Sequence, residues 1–218
     1  MTLSTLGASW QDPLERLFAD LRSQLDPAQS VSPCAADWRD ACAYLDLLVT
    51  WNKQLDLTAA HDDDGLAELI FADAFVLASF AVSGSTWLDV GSGAGAPGVA
   101  LSVLRTDLSL ALVEPLQKRV AFLRAVAGTL HERRLRVQRA RAEELAGGDW
   151  DAAVSRATFE PSEWLAQGSR LARREVWVLL ARAEPPQLQG WVPGLDVTYR
   201  WPRAGVPRRA VKYVPKIP

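Results

Sequence analysis

The stretch Leu88-Asp-Val-Gly91-Ser-Gly93-Ala-Gly95-Ala-Pro-Gly98 decides the fold of this 218-residue chain. It closes an apolar segment, residues 86–90, that predicts a β-strand, and it opens a helical pattern over residues 97–105. Glycine permits positive φ and lets the backbone approach a ligand closely, at a cost of roughly 0.5–1 kcal/mol relative to alanine in regular structure. Four glycines between a strand and a helix therefore predict a ligand-binding turn.

Beyond this turn, short apolar strands alternate with helical patterns. Such alternation is typical of βαβ units, and it predicts an α/β fold with a mostly parallel sheet covered by helices on both faces. The last part of the chain predicts a hairpin-like pair around residues 197–199 and 211–213. The other predicted strands are residues 108–113, 135–139, 150–155 and 175–180, and the helices are residues 117–130 and 160–172.

The N-terminal part has a different pattern. Residues 14–25, 35–55 and 66–82 each show helical apolar periodicity, and the run Asp62 to Asp64 can cap the third helix. We therefore expect residues 1–82 to form a helical extension packed on a core of residues 83–218, together making one compact unit.

Composition excludes several classes of protein. Two cysteines, Cys34 and Cys42, cannot form a disulfide framework, and His61 and His131 have no metal-ligand spacing, so no metal is expected. The N-terminus lacks the pattern of a signal peptide, and the longest apolar run, residues 69–82, is shorter than the ~20 residues of a membrane span. A cytoplasmic protein without a membrane partner is expected.

Two acidic residues indicate which ligand the glycine turn holds. Asp89 lies in the apolar strand before the turn, where its negative charge would repel a pyrophosphate but attract the cationic amino group and sulfonium of S-adenosylmethionine. Glu114 ends the next strand, 23 residues after Gly91, where an acid can bind both hydroxyls of a ribose. Asp89 thus favours S-adenosylmethionine as the cofactor, while the acid at Glu114 is a feature that NAD and S-adenosylmethionine sites share.

Other nucleotide-binding classes fit less well. No Gly-Lys-Ser/Thr follows the turn, which excludes a P-loop. A dehydrogenase would need a substrate domain and a hydride-transfer acid, and 218 residues with two histidines offer little of either. A class I (Rossmann-like) S-adenosylmethionine methyltransferase with a seven-stranded sheet is the prediction.

From about residue 44 to 182 the chain resembles the glucose-inhibited division protein B family, the bacterial 16S rRNA guanine-N7 methyltransferases. Five motifs carry the resemblance in the family's order. They are Trp51-Asn-Lys-Gln-Leu-Asp-Leu-Thr58, Asp89 to Gly98, Glu114-Pro-Leu-Gln-Lys118-Arg119-Val-Ala-Phe-Leu123, Arg141-Ala-Glu143-Glu144 and Ser155-Arg156-Ala157.

The resemblance implies that Gly91, Ala96, Ala142 with Glu143, and Arg156 line the cofactor site. The residues themselves agree, because Glu143 follows the third strand, and Arg156 lies just past the fourth, at the rim where open α/β sheets bind ligands. With the acids and glycines of the turn, the predicted cofactor-binding set is Asp89, Gly91, Gly93, Gly95, Ala96, Glu114, Ala142, Glu143 and Arg156.

The chemistry implied by the resemblance needs no general base. Guanine N7 carries an in-plane lone pair, so catalysis consists of alignment and desolvation, which can contribute up to ~7–11 kcal/mol. No catalytic acid or base is assigned, and positioning contributions are expected from Asp73, Arg156 and Arg182. In a regular RNA duplex N7 lies in a deep and narrow groove, so the target is expected in a loop or an opened junction.

Several positions depart from the family's pattern. The family's Arg-His pair shortly before an Asp-Ser matches the stretch Leu69-Ile70-Phe71-Ala72-Asp73-Ala74, which keeps only the Asp. A loop aromatic is replaced by Ala96, a lysine after the fifth strand by Arg182, and an asparagine by Asp56. Two alternatives therefore stay open beside rRNA methylation. They are a methyltransferase for another substrate and a cofactor-binding paralogue with weakened catalysis.

The net charge of −2 conceals a division along the chain. Residues 1–115 hold 5 Lys and Arg against 16 Asp and Glu, whereas residues 116–218 hold 19 against 10. Clustered basic groups attract phosphate whatever the total charge, so an RNA-facing surface is predicted on the C-terminal half. The expected partner is 16S rRNA or the small ribosomal subunit, bound by a monomer. The predicted RNA-binding residues are Lys118, Arg119, Arg208, Arg209, Lys212 and Lys216.

Tryptophans divide into two predicted groups. Trp87, Trp150 and Trp177 lie in or beside strands and are expected in the core. Trp191 and Trp201 lie in the basic C-terminal part, where they are candidates for stacking on RNA bases.

Overall fold

The structure, a computed structural model, describes residues 10–28, 38–130 and 134–216. Cys34, His131 and the predicted start of the second helix at residues 35–37 lie outside this part of the chain, as does the segment before residue 10.

Seven strands form one sheet in the order β3-β2-β1-β4-β5-β7-β6. Strands β1 to β5 run parallel, and β7 lies antiparallel between β5 and β6. This order confirms the predicted seven-stranded, mostly parallel sheet and its final hairpin. The strands are β1 (Thr86–Val90), β2 (Ser109–Val113), β3 (Leu135–Gln138), β4 (Trp150–Ser155), β5 (Ala172–Leu180), β6 (Trp191–Arg200) and β7 (Pro207–Pro215).

The helical patterns also form helices, with bounds shifted by a few residues. The third helix begins at Asp63, earlier than its apolar pattern, because the Asp62 carboxylate accepts a 2.8 Å hydrogen bond from the Gly65 amide and caps it. The helices are α1 (Gln11–Gln24), α2 (Trp38–Leu55), α3 (Asp63–Phe80), α4 (Gly98–Leu104), α5 (Gln117–Thr129) and α6 (Pro161–Leu171).

Helices cover both faces of the sheet, as predicted. Helices α1 to α5 bury one face, where the rings of Trp87 and Trp177 stack 6.2 Å apart in the core. Helix α6 covers the other face through Trp164 and Leu165. The N-terminal helices thus share a core with the sheet, while the division at residue 82 stays a prediction. Within the described ranges, no helix combines the length and apolarity needed to cross a membrane.

Candidate functional site

The glycine turn lies at the carboxyl end of β1, beside the end of β2. Gly91 and Ser92 both donate their amides to the Val113 carbonyl, at 2.8 and 3.1 Å, which fixes the turn against the neighbouring strand. Gly91, Gly93 and Gly95 have φ values of +75°, +54° and +92°. Residues other than glycine rarely adopt such positive φ values, so the backbone conformation of the turn requires glycine at these positions.

Packing distinguishes these glycines from one another. A Cβ added to Gly91 would lie 2.2 Å from Thr158 Oγ1, and one added to Gly95 would lie 2.6 Å from Val99 Cγ2. A Cβ on Gly93 would meet only the Gly91 carbonyl, at 3.8 Å. Gly91 and Gly95 therefore serve internal packing, whereas Gly93 faces open space that a ligand can occupy.

Asp89 is buried beneath this turn with one oxygen unpaired. Its side chain is 1% exposed, and Oδ2 accepts a 2.9 Å hydrogen bond from the Gly98 amide, while Oδ1 has no partner. Burial raises the pKa of Asp89 to about 6, and the hydrogen bond from Gly98 opposes this shift. An unpaired buried carboxylate oxygen is costly, so Oδ1 is suited to a donor from a ligand.

Glu114 connects the turn to the loop after β2. Its buried carboxylate accepts the Gly93 amide at Oε2 (3.0 Å) and the Leu116 amide at Oε1 (2.9 Å). A carboxylate has about four acceptor positions, so both oxygens can still bind hydroxyl groups. Leu116, directly after Pro115, is 54% exposed and presents an apolar surface beside Glu114.

An open depression of about 560 Å³ lies next to Glu114, at the ends of β2 and β3. Sequence reasoning missed Leu116, although an apolar residue directly after a strand-end acid and proline was a usable signal. Ala142 is buried beside this depression at the start of a short 3-10 helix (Ala142–Glu144), and Glu143 is exposed. The depression is lined by Pro115, Leu116, Arg139, Ala140, Arg141 and Glu144.

A buried hydrogen-bond network surrounds Asp73 on α3. Asp73 Oδ2 pairs with Arg156 Nη1 at 3.3 Å, and Oδ1 accepts from Tyr199 Oη at 2.7 Å and from Trp201 Nε1 at 2.9 Å. Arg156 Nη1 also donates to the Leu69 carbonyl at 2.6 Å. Both Asp73 oxygens are thus satisfied, and Arg156 is fixed at the carboxyl end of β4.

A cavity of about 350 Å³ opens above this network. Arg208 lies at its wall with the guanidinium 4.1 Å from the centroid of the Trp201 ring. Trp201 is only 9% exposed, so its ring supports Arg208 and Asp73 within the fold. Sequence reasoning missed Tyr199 as part of this wall, because no local pattern links it to Asp73, 126 residues earlier. The wall comprises Leu69, Asp73, Arg156, Ala157, Leu179, Leu180, Ala181, Tyr199, Trp201 and Arg208.

The structure separates the other predicted site residues. Ala96 is buried in the core beside the turn. Arg182 is exposed past the end of β5 and is not part of the cavity wall. Lys118 is exposed and Arg119 half-buried in the first turn of α5. These residues follow the carboxyl ends of their strands, at the same edge of the sheet as the glycine turn, but they do not form one cluster.

The basic residues of β7 face two sides of the sheet. Arg208 and Lys212 stand on one face and Arg209 on the other, because side chains alternate along a strand. Arg209 pairs with Asp196 at 2.5 Å, and Lys212 pairs with Glu175 at 3.4 Å, which neutralises part of their charge. Lys216 is exposed just after the strand.

No group of three or more His, Cys, Asp or Glu side chains suited to a metal ion occurs among the residues that the structure describes.

Comparisons with known proteins agree with this geometry. Residues 37–189 match the family GidB, described as rRNA small subunit methyltransferase G. The ribosomal RNA small subunit methyltransferase G of Anaeromyxobacter dehalogenans (strain 2CP-C) is 40% identical over 131 residues, which are 58% of this chain and 60% of that protein. The corresponding protein of Methylobacillus flagellatus is 32% identical over 170 residues, which are 71% of this chain and 82% of that protein.

Solved structures show the same fold at low identity. TYW2 of M. jannaschii in complex with AdoMet has a TM-score of 0.51 and 11% identity, over 66% of this chain and 75% of that one. TYW2 of P. horikoshii in complex with MeSAdo has a TM-score of 0.52 and 12% identity, over 66% of this chain and 62% of that one. These likenesses concern the fold alone, and they confirm the predicted Rossmann-like α/β class.

Proposed function

Because this chain belongs to the rRNA small subunit methyltransferase G family, we propose that it transfers a methyl group from S-adenosylmethionine to N7 of a guanine in 16S rRNA. The chain spans 60% of the length of the first curated relatives that it matches. The activity, the substrate and the partner are therefore proposals, and they are supported by the chemistry of the site and by membership of the family. The proposed partner is 16S rRNA or the small ribosomal subunit, and the enzyme is proposed to act as a cytoplasmic monomer.

The carrying observation is the arrangement of Asp89, Gly93 and Glu114. Asp89 Oδ1 is buried and unpaired, Gly93 faces open space, and Glu114 retains acceptor capacity at the end of β2. These three features suit, in turn, the cationic amino group of S-adenosylmethionine, the close approach of the cofactor to the protein backbone, and the ribose hydroxyls. A pyrophosphate would place like charge beside Asp89. These hydrogen-bond acceptors thus fit the proposed cofactor.

The adenosine end of the cofactor has a place beyond Glu114. The exposed Leu116 side chain offers an apolar surface that a purine ring would cover, removing that surface from water. Glu143 follows the third strand and is proposed to accept the exocyclic amino group. The proposed cofactor residues are those predicted from the sequence, with Leu116 added, and Gly91 and Gly95 among them act by shaping the turn.

When bound, S-adenosylmethionine supplies an electrophilic methyl group on a sulfonium. Guanine N7 needs no proton removed before it attacks. The task of the chain's own residues is therefore to hold the acceptor base in line with that methyl. We propose the cavity above Asp73 as the place of that base. Arg156, fixed by Asp73 and the Leu69 carbonyl, lines this cavity just past the end of β4, the strand beside β1, and is proposed to position the base.

The RNA strand is proposed to reach this cavity through basic residues at the rim. Arg208 lies at the cavity wall, so its charge is available to the substrate close to the target base. The other proposed RNA contacts are Lys118, Arg119, Arg209, Lys212 and Lys216, with Arg182 at the end of β5.

One experiment tests the proposal directly. Small ribosomal subunits and naked 16S rRNA, both from a strain without this protein, are incubated with the purified chain and methyl-labelled S-adenosylmethionine. We expect label in N7-methylguanine on digestion of one or both substrates. Cofactor binding without any label in the RNA would refute the proposal.

A second candidate is a cofactor-binding paralogue with weakened catalysis. It is favoured by Leu69, an apolar residue in the cavity wall at one of the two positions that hold Arg-His in the family's pattern. In this case calorimetry would detect S-adenosylmethionine binding, while turnover would be absent on RNA, protein and small-molecule substrates. Restoring the pair with the variant Leu69→Arg/Ile70→His would then raise turnover.

A further inference from the structure

The edge of the sheet formed by β3 carries a concentration of arginines. Residues 116–142, which include α5 and β3, contain eight Lys and Arg but one Asp or Glu. In the part of the chain that the structure describes, strand β3 pairs with β2 alone, and its residues Arg136 and Gln138 are exposed. We call this surface the basic edge and define it by six residues. They are Lys118, Arg124, Arg134, Arg136, Arg139 and Arg141.

The fold places these side chains on both faces of the edge. Leu135 and Val137 point into the core beneath α5, so Arg134 and Arg136 stand on the opposite face, by the alternation of a strand. Arg124 is exposed on α5, which packs against β3 from the first face. The arginines therefore surround the edge rather than forming one row.

The charge of the basic edge is largely uncompensated. Within the described part of the chain, Arg124, Arg136, Arg139 and Arg141 make no ion pair with a carboxylate. Arg139 donates its Nε to the Pro115 carbonyl at 3.3 Å, which orients the guanidinium at the rim without neutralising it. A local positive potential therefore remains, although the chain as a whole is slightly acidic.

We propose that the basic edge binds the phosphate backbone of the substrate RNA, next to the strand segment that enters the active site. Arginine suits this role because its planar guanidinium bonds phosphate through two parallel donors. The ligand is recognised by its charge and spacing and not by its bases, since among the described residues no exposed aromatic side chain accompanies these arginines.

The position of the edge agrees with this role. Adjacent strands lie about 4.8 Å apart. In the strand order, β1 with the glycine turn is therefore roughly 10 Å from β3, and β7 with Arg208 is roughly 24 Å from β3. The turn thus lies between two basic regions. An RNA whose target base enters the cavity would place neighbouring phosphates near both.

Protection of an exposed strand is the competing explanation. Charged side chains on an edge strand discourage pairing with another chain, and they need no ligand for that. The two explanations differ in their consequences, because edge protection concerns self-association and phosphate binding concerns RNA affinity.

The test is the double variant Arg124→Gln/Arg136→Gln, which leaves the residues around the cofactor depression intact. The control is Arg22→Gln/Arg174→Gln, which removes the same number of positive charges from exposed positions on α1 and at the amino end of β5, where Arg174 pairs with Asp151 at 3.3 Å. Filter binding to in vitro transcribed 16S rRNA is measured from 50 to 200 mM salt, with cofactor affinity and methylation kinetics measured on the same samples.

We expect the test variant to bind RNA about tenfold more weakly, with the salt slope reduced by about 1 to 2 and KM raised at unchanged kcat. The control should keep the wild-type slope. An unchanged slope in the test variant overturns the inference, and self-association of that variant in sedimentation would then assign the arginines to edge protection.

The inference rests on the proposed function only in taking RNA as the substrate, and the two can fail separately. If the wild-type chain binds RNA with an edge-dependent slope but methylates nothing, the basic edge stands and the proposed activity fails. If it methylates RNA and the slope is insensitive to the edge, the activity stands and the inference fails.

Discussion

The Gly98 amide donates a 2.9 Å hydrogen bond to Asp89 Oδ2, while Asp89 Oδ1 is buried and has no partner. The start of α4 thereby holds the carboxylate in a fixed orientation beneath the glycine turn. A ligand with a donor at this point gains a charge-assisted hydrogen bond without reorganising the protein.

The variant Asp89→Asn tests this arrangement with little change in shape. Loss of the negative charge should weaken S-adenosylmethionine binding about 10- to 100-fold, since hydrogen bonds to charged groups contribute about 1.5–3 kcal/mol. Isothermal calorimetry measures the change, and Asp149→Asn, at an exposed position, is the control. Equal affinities for the variant and the wild type would refute the assignment of the cofactor site.

The raised pKa of Asp89 predicts that cofactor affinity depends on pH. Because burial raises this pKa to about 6, the carboxylate is ionised at pH 8 and largely protonated at pH 5. The ionised form binds the cationic ligand, so affinity should fall roughly tenfold between pH 8 and pH 5. Calorimetry at several pH values should show this decline in the wild type and a smaller one in Asp89→Asn. Parallel pH profiles would assign the titration to another group.

The same pKa makes a prediction for stability, with a definite sign. The ordinary pKa of the group is 3.8, so between pH 6 and pH 4 the folded, cofactor-free chain binds more protons at Asp89 than the unfolded chain does. The contribution of Asp89 to the free energy of unfolding should therefore rise as pH falls through this window. Urea denaturation of wild type and Asp89→Asn isolates it, because groups common to both cancel. A difference that is constant with pH would contradict the raised pKa.

Substitutions at two glycines of the turn should affect the free energy of unfolding and the affinity for the cofactor to different extents. Gly91→Ala should lower the free energy of unfolding by about 2–4 kcal/mol, because the added Cβ would lie 2.2 Å from Thr158 Oγ1 at positive φ. Gly93→Ala should cost about 1 kcal/mol from its φ of +54°, yet it should weaken cofactor binding more than Gly91→Ala does at equal folded fraction. Denaturation and calorimetry on both variants check this order, and a reversed order would show that Gly93 does not face the ligand.

Local sequence patterns predict the glycine turn, the acids that flank it and the sheet, because each depends on residues close in the chain. Strand β4, for example, has the bounds predicted from its apolar run. The environment of Asp73 is different, because its partners Tyr199 and Trp201 lie 126 and 128 residues away. No periodicity records such a contact, so sequence alone leaves Asp73 as either a buried structural acid or a site residue.

The network around Asp73 predicts a split between stability and catalysis. Tyr199→Phe removes one donor from Asp73 Oδ1 and keeps the other, from Trp201, so it should cost about 1–2 kcal/mol of unfolding free energy. It leaves the Arg156 pair intact, and methylation by the folded fraction should stay within about threefold of wild type. Asp73→Asn instead weakens the hold on Arg156, whose Nη1 lies 3.3 Å from the carboxylate.

Asp73→Asn should therefore lower kcat on RNA by about tenfold or more, since small displacements of a positioning group can cost up to ~100-fold. Its cofactor affinity should match that of the wild type, because the glycine turn and Glu114 are untouched. Single-turnover methylation with calorimetry on the same samples separates the two quantities. If both variants lose activity only in proportion to their unfolded fraction, Asp73 stabilises the fold without positioning the substrate.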